Sequence, residues 1–598
     1  MIRRPLRPLA RILQARDQGV DPDRIEAQER AARLAACQKA ERRKAERRLV
    51  LLGGAFVLGF GLVAAQMARV SASEPEPERS AGLANPILSD RADIVDRNGR
   101  VLATNVATTS LYAHPKSMVD PRAAADGLAR IFPDLDAEEL FEDFTGSQKF
   151  LWIERSISPE QHQLVHDLGE PGLLFGRRQS RLYPNGRILA HTLGGARYGR
   201  EGVHSAEVLG RAGIELGLNS RLTDPKKTDE PLVLSIDLAA QTAMEEVLAE
   251  GMETMNAKGA VGILMEADTG QIRAMASLPD FDPNNRPTGL FEGDPSDNPL
   301  FNRALQGRYE LGSTFKPFTV ALALETGLVA PQTMVDSKSP MKWGRYRIRD
   351  FKDYGPQLSV EDIIVKSSNV GTARIAIEQG GAAQRRFLEN LGLMTPLRVE
   401  LAESSSSAPI LPRTWSELTT MTVSYGHGIS VTPLHLAAAY ATIANGGYRV
   451  EPSFIENPNI DKTDNPQVIS ERTSRQVRDI MRQVMVRGTA READVEGYAL
   501  AGKTGTADKP LPGGGYARDK VISTLASVFP AANPKYVLIV ALDEPTTIIN
   551  KTSFRTAGLT AAPVAADIVR RLAPILGMRP GDFGTEGPEV LYTLAGNN

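Results

Sequence analysis

A run of 20 positions without a charged residue, Leu49 to Ala68, does most to limit what this 598-residue chain can become. About 20 apolar residues are what a helix needs to cross the hydrocarbon layer of a membrane. Arg42, Arg43, Lys44, Arg47 and Arg48 stand just ahead of the run. A positive flank is held on the cytoplasmic side, which sends the remainder of the chain outward. A cleaved signal peptide would have a shorter apolar region, and its basic segment would not follow so long a tail. The expectation is a single uncleaved signal anchor, with nearly all of the mass outside.

The composition suits folded domains beyond that point, since 42% of the residues are hydrophobic and 24% charged. A length of this order calls for two to four folded units. The formal net charge of -2 gives no basis for a nucleic-acid partner. Cys37 is the one cysteine, so the chain forms no internal disulfide and no thiolate cluster for zinc. Neither a metal nor an organic cofactor is expected.

Organisation follows from punctuation and periodicity. Residues 71–88 are polar and proline-rich, as a short linker is. Ile94-Val95 and Val101-Leu102 flank Asn98-Gly99, a favoured tight turn, and predict a β-hairpin. Short strands and helices then alternate to about residue 225. A second domain is expected from about Pro231, with a strand at Leu232–Asp237, a helix from Leu238 to Met255, and two strands around Asp268-Thr-Gly. A mainly helical middle runs from about 313 to 490. Apolar runs at Ser523–Phe529 and Lys535–Leu542 return to strand, and a helix over 560–575 closes the domain. Strands at both ends with helices between predict an α+β sheet assembled from distant segments.

Three short motifs carry chemistry. Ser313-x-x-Lys316 lies where Pro317 and an apolar run mark a helix start near Ser313. Residues i and i+3 share a helix face, which places the amine of Lys316 near the Ser313 hydroxyl. Serine needs a base to become a nucleophile, and lysine serves only when its pKa is lowered. Ser339-x-x-Lys342 fits the same formula in a polar, turn-like stretch and is read as incidental. Ser367-Ser-Asn369 lies between two predicted helices, where an extended link would aim Ser367 and Asn369 into one cleft; a plain helix cap is the competing reading. Lys503-Thr504-Gly505-Thr506 lies in an extended stretch. There the absence of a side chain at Gly505 would admit a substrate backbone, and Lys503, Thr504 and Thr506 would hold a carboxylate.

The order of the three motifs is the specific signal, for it is the set shared by penicillin-binding proteins and class A β-lactamases. Glu310-Leu-Gly-Ser-Thr-Phe-Lys-Pro, Lys366-Ser-Ser-Asn-Val-Gly and Ala501-Gly-Lys-Thr-Gly-Thr-Ala resemble the active-site boxes of class B penicillin-binding proteins. Asp96-Arg-Asn-Gly, Tyr183-Pro-Asn-Gly-Arg-Ile-Leu-Ala-His and Gly210-Arg-Ala-Gly-Ile-Glu215 resemble that family's N-terminal pedestal and its junction. Ser424-Tyr-Gly-His-Gly-Ile-Ser-Val-Thr-Pro433 resembles the segment before the third box. The likeness covers roughly residues 90 to 570. It is strongest to the division-specific, septal enzyme, with the elongation-specific relative second. Leu311 stands where the family often has proline, and Ala92-Asp93 where a glycine is usual.

The resemblance implies an α+β fold in parts: a cytoplasmic tail (1–48), a transmembrane anchor (49–70), a linker (71–88), a mixed α/β pedestal of dimerisation type (89–228), a serine β-lactamase-like transpeptidase domain with an antiparallel sheet and a helical subdomain (229–577), and a tail (578–598). It implies a D,D-transpeptidase facing the periplasm that cross-links peptidoglycan stem pentapeptides, binds β-lactams, and works with a membrane-embedded glycan polymerase and other division proteins. Ser313 would be the nucleophile and Lys316 its base, Ser367 and Lys503 the proton relay, and Asn369 the group orienting donor and lysine. Backbone N–H groups of Ser313 and Thr506 would form the oxyanion hole.

Other motifs carry less. Gly497 to Thr504 matches a phosphate-binding loop in letters, but no apolar strand precedes it and Gly505-Thr-Ala-Asp-Lys-Pro follows where a helix is needed. His162 and His166 are one helical turn apart without the glutamate of a zinc protease, so a solvent-facing helix is expected. A non-catalytic scaffold is the alternative from another functional class, and it leaves all the reactive side chains unexplained.

Overall fold

The computed structural model describes residues 91–581, apart from 202–205, 290 and 512–513, together with parts of 14–61. The chain divides into two compact units, Met1–Pro86 and Ile87–Asn598. In the first, residues 51–54 and 56–61 are helical, with Phe56, Val57, Leu58 and Phe60 exposed. Among the described residues no helix is long and apolar enough to cross a membrane. Positions 49, 50, 55 and 62–68 of the expected anchor lie outside them.

The second unit begins with a five-stranded sheet built on Val101–Ala113, which pairs antiparallel with Leu151–Ile157 and with Leu173–Leu182. The predicted hairpin is present, with Ile94 opposite Ala103 and Val95 opposite Val101. Its turn is closed by Asp96, whose carboxylate accepts from the N–H groups of Asn98 (2.9 Å) and Arg100 (2.8 Å). Only Gly99 there takes a positive φ, of 80°. The strand expected over Leu232–Asp237 is just Leu232–Val233, and it pairs in parallel with Ile94–Val95. It therefore completes the pedestal sheet instead of opening the next one. Sequence shows a strand's apolar residues but not its partner.

Two cores result. A small one (Leu111, Ala125, Leu128, Phe144, Val165 and neighbours) holds the outer part of the pedestal. The pedestal's root, including Ala92, Ile94, Leu102, Tyr183 and Ile214, packs into the main core of the catalytic region. Buried Glu215 pins that root by accepting from Arg91 Nε at 2.5 Å and Arg181 Nε at 2.8 Å.

The main sheet has the strand order Ala501–Pro510, Tyr516–Phe529, Tyr536–Asp543, Gly259–Glu266, Ile272–Leu278, antiparallel throughout. Distant segments do assemble it, as expected. Its inner strands are buried on both faces, hence their unbroken apolar runs. Helices Leu238–Thr254 and Ala561–Ile575 cover it together, while Pro433–Ala444, buried along its whole length, joins it to the helical region. The edge strand Ala501–Pro510 is left free to meet residues 312–315.

Candidate active site

Gly312–Phe315 forms a single 3-10 turn, and the α-helix Lys316–Glu325 follows it with Pro317 in the first turn. The helix thus opens at Lys316, three residues later than expected. Side chains three apart eclipse one another in a 3-10 turn, so Ser313 and Lys316 still share a face. Gly312 takes φ 55°, a conformation glycine adopts freely. Ser313 is half-buried, whereas Lys316 is fully buried.

Lys316 rests on the second motif. Its Nζ donates to Ser367 O (2.5 Å) and Ser367 Oγ (3.1 Å). Lys503, also fully buried, donates from Nζ to the same Ser367 Oγ (3.0 Å) and to Thr504 O (3.0 Å). One serine hydroxyl therefore joins the two lysines. Burial lowers both, since a charge away from water is costly. Lys316 is held well below the usual lysine range by burial and then by the charge of Lys503. Lys503 is lowered to about 7 by burial. A neutral Lys316 has two N–H donors, and Ser367 accepts both. That leaves its lone pair uncommitted, and Ser313 makes no side-chain hydrogen bond among the described residues.

The second motif is not an extended link. Asn369 begins the helix Asn369–Gln379, and Ser368 is its N-cap, accepting from Gly371 N at 3.0 Å. Ser367 precedes the cap at φ 65°, a left-handed conformation that costs a serine about 1–2 kcal/mol. That backbone places the Ser367 carbonyl and hydroxyl together on Lys316. Both readings of the motif hold in part: Ser368 caps, and Ser367 faces the cleft. The Asn369 side chain donates to Arg349 O (3.0 Å) and not to Lys316, so it stands on the cleft wall.

The third motif is the edge strand. Thr504 and Thr506 line a cleft of about 730 Å³ with Ser313, Ser367 and Asn369. Lys503 is on the alternate face, behind Ser367, so it reaches the cleft through that hydroxyl. The absent side chain at Gly505 makes room for this chain's own backbone: a Cβ there would collide with Leu311 O and lie 2.8 Å from Thr314 Cγ2. The close approach that the structure itself requires at Gly505 is that of the turn Gly312–Phe315 and the preceding Leu311. Thr506 Oγ1 accepts from Ala557 N (3.0 Å), and Thr504 Oγ1 is 2.6 Å from Thr489 Oγ1.

Several residues here were not singled out from sequence: Thr489, the Phe554–Leu559 wall, and Arg349, Asp350, Phe351 and Tyr354. They come from loops with no local pattern of their own. Two of the other motifs fall as expected, whereas on the histidine helix only His166 faces solvent and His162 is half-buried. Ser339 Oγ accepts from Asp350 N at 3.2 Å, and Lys342 is exposed on the short strand Met341–Trp343. Lys503-Thr504 runs on as strand, with no phosphate-binding helix. His162 packs on the Phe175 ring at 4.0 Å between centroids.

Comparison with known proteins agrees with this architecture. Residues 260–570 match the penicillin binding protein transpeptidase domain, and residues 86–230 the penicillin-binding protein dimerisation domain. The probable peptidoglycan D,D-transpeptidase FtsI of Caulobacter vibrioides is 34% identical over 542 residues, which is 89% of each chain. Peptidoglycan D,D-transpeptidase FtsI of Escherichia coli is 28% identical, covering 90% of this chain and 93% of that one. Penicillin binding protein 3 of Mycobacterium tuberculosis, solved with aztreonam, superposes with a TM-score of 0.62 at 25% identity, over 83% of this chain and 98% of that chain. Two matched domains in that order, around two buried lysines joined through Ser367, give one conclusion: the chain belongs to the class B penicillin-binding proteins and is most like the division-specific FtsI.

Proposed function

We propose that this chain is a serine-type peptidoglycan D,D-transpeptidase of the division septum, with Ser313 as its acylated residue. The observation that carries the reading is Ser367 Oγ, which accepts from Lys316 at 3.1 Å and from Lys503 at 3.0 Å beside a serine-lined cleft.

Ser313 Oγ attacks the carbonyl carbon of the penultimate D-alanine, and its proton passes to Lys316 Nζ. The amide C–N bond breaks, and the departing D-alanine takes a proton delivered through Ser367 from the lysine pair. An amine on a neighbouring stem then attacks the ester carbonyl, and Ser313 regains its proton as the cross-link forms. Thr504 and Thr506 receive the donor's carboxylate, with Lys503 behind them, while Gly505 keeps the strand close to the nucleophile. Asn369 orients the donor from the wall. The backbone N–H groups of Ser313 and Thr506 face the developing oxyanion. A β-lactam enters as a donor mimic and leaves a slow ester on Ser313.

Fluorescent penicillin tests this directly. Mass spectrometry should find the adduct on the peptide containing Ser313, whereas a scaffold would take no label. An adduct on Ser339 or Ser367 overturns the assignment.

The same proposal sets the topology: Leu49 to Ala68 spans the cytoplasmic membrane once, the tail 1–48 is cytoplasmic, and residues 89–228 and 229–577 form pedestal and transpeptidase regions in the periplasm. A membrane-embedded glycan polymerase and further division proteins are its partners. Mature protein keeps residue 1 and resists a high-salt wash, while a chain starting at residue 71 is soluble. N-terminal sequencing that began beyond residue 70 would sink the anchor. Septal localisation of a fluorescent fusion separates this role from lateral-wall elongation.

A further inference from the structure

We propose that Asp350 is a positioning residue for acylation: its carboxylate clamps the second motif so that Ser367 is seated on Lys316, and it places a negative charge opposite Lys503. The proposal rests on the reading of Lys316 as the base.

Three donors from one short segment converge on this carboxylate. Ser368 Oγ donates to Oδ2 at 2.7 Å, while Asn369 N (2.5 Å) and Val370 N (3.0 Å) donate to Oδ1. The neighbouring Arg349 O takes the Asn369 side-chain amide at 3.0 Å. The start of the helix Asn369–Gln379 is therefore gripped on backbone and side chain by two adjacent residues. A carboxylate at a helix N-terminus is in the favoured place for a negative charge. Ser367, immediately before the gripped residues, has the left-handed backbone. Such a conformation persists in a serine only where its surroundings over-determine it. With the downstream side fixed by Asp350, the upstream side is fixed by hydrogen bonds from Ser367 N to Ile364 O (3.2 Å) and Ser368 N to Ile363 O (2.9 Å). Those anchors leave the Ser367 carbonyl where Lys316 meets it.

Charge is the second part. Lys316 is faced by Lys503 from the edge strand and by Asp350 from its loop, with Ser367 supplying neutral contacts. The first favours the neutral amine and the second the ammonium. Arg349, Lys366, Arg491 and Glu492 stand farther out, on the cleft wall. Asp350 thus keeps the base from becoming too weak, because an amine that never holds a proton cannot pass one on.

The test compares Asp350→Asn, Asp350→Ala and Ser368→Ala in the full chain, following penicillin acylation against pH and thermal melting alongside. The rate should rise with pH as Lys316 loses its proton. Removing the carboxylate lowers the lysine further, so the Asp350→Asn midpoint should move to lower pH. Ser368→Ala keeps the charge and loses one arm, so its rate should fall with the midpoint unchanged. Asp350→Ala loses both and should acylate slower by roughly tenfold or more, as expected for charge-assisted hydrogen bonds. An Asp350→Asn chain that melts normally and keeps the wild-type midpoint overturns the proposal. So does one that loses its fold, because Asp350 would then support the domain and not the lysine. Failure of the underlying reading shows separately, as undiminished labelling of Lys316→Ala.

Discussion

Ser313–Lys316 and Ser339–Lys342 have the same four-residue formula and lie 26 positions apart, yet they have nothing chemical in common. In the first, a 3-10 turn eclipses the two side chains and the lysine is buried against Ser367. In the second, the lysine extends into solvent from the strand Met341–Trp343, while Ser339 lies in a bend before that strand. A base requires a lysine that water cannot keep charged. Burial therefore decides which pair can act, and spacing alone does not.

The sharpest way to break this contrast is to exchange nucleophile and bystander. Ser313→Ala should abolish penicillin labelling and leave the melting temperature nearly unchanged, since a half-buried hydroxyl without a partner becomes a methyl. Labelling that survives the change would place the chemistry elsewhere.

Next in size is Lys503. Lys503→Ala removes a donor from Ser367 and an amine from beside Lys316, and acylation should fall roughly 10²-fold or more. Thr506→Ser retains the hydroxyl that accepts from Ala557 N and should lose far less. Equal losses would reduce the third motif to a structural strand.

The buried lysine also leaves a signature in stability. With its folded pKa at about 7, Lys503 is neutral in the native chain but charged in the unfolded chain between about pH 7 and its ordinary value near 10.5. The unfolded state binds more protons across that window, so this group's contribution to stability rises with pH there. Lys503→Met should accordingly stabilise the chain by on the order of a few kcal/mol at pH 7, and by progressively less towards pH 10.

A glycine pair sharpens the comparison further. Gly505→Ala drives a methyl into Leu311 O and Thr314, so it should displace the nucleophile turn, costing about 1–3 kcal/mol and much of the labelling. Gly344→Ala, beside the bystander, meets open space and carries only the strain of φ 56°, about 1–2 kcal/mol, with labelling kept. The smallest effect is at Ser339→Ala. It removes the 3.2 Å bond to Asp350 N, about 1 kcal/mol, and should label normally.

That the three motifs meet at one cleft was legible in the sequence because each motif is local. Ser313 and Lys316 are three apart, and Lys503 to Thr506 are contiguous. What holds them was not legible. Asp350 meets Ser368 across 18 positions, and Thr489 meets Thr504 across 15, through loops without periodicity. Gly505 reads as open to a substrate backbone, and nothing in the sequence signals that its missing Cβ also makes room for Leu311 of the same chain. Ser367 carries no mark of its left-handed backbone, since neighbours and not its own preference impose it. In the fold, apolar runs predicted the main sheet, whereas Leu232–Val233 joined the other sheet through a parallel pairing that no pattern of residues announces.

That parallel pairing has a mechanical side. A pull on the N-terminal end of the second unit reaches Arg91 first and then Ile94–Val95. Parallel neighbours loaded along their length share the load among their hydrogen bonds, such as Leu232 N to Asp93 O (2.8 Å) and Leu234 N to Val95 O (2.9 Å). An antiparallel hairpin pulled apart at its open end gives way one bond at a time. Here the strand must slide as a whole, and Arg91 must leave buried Glu215 in the same movement. The root of the pedestal is thus a shear clamp, in which a load entering at Arg91 is met by Glu215 and by Leu232–Val233 together.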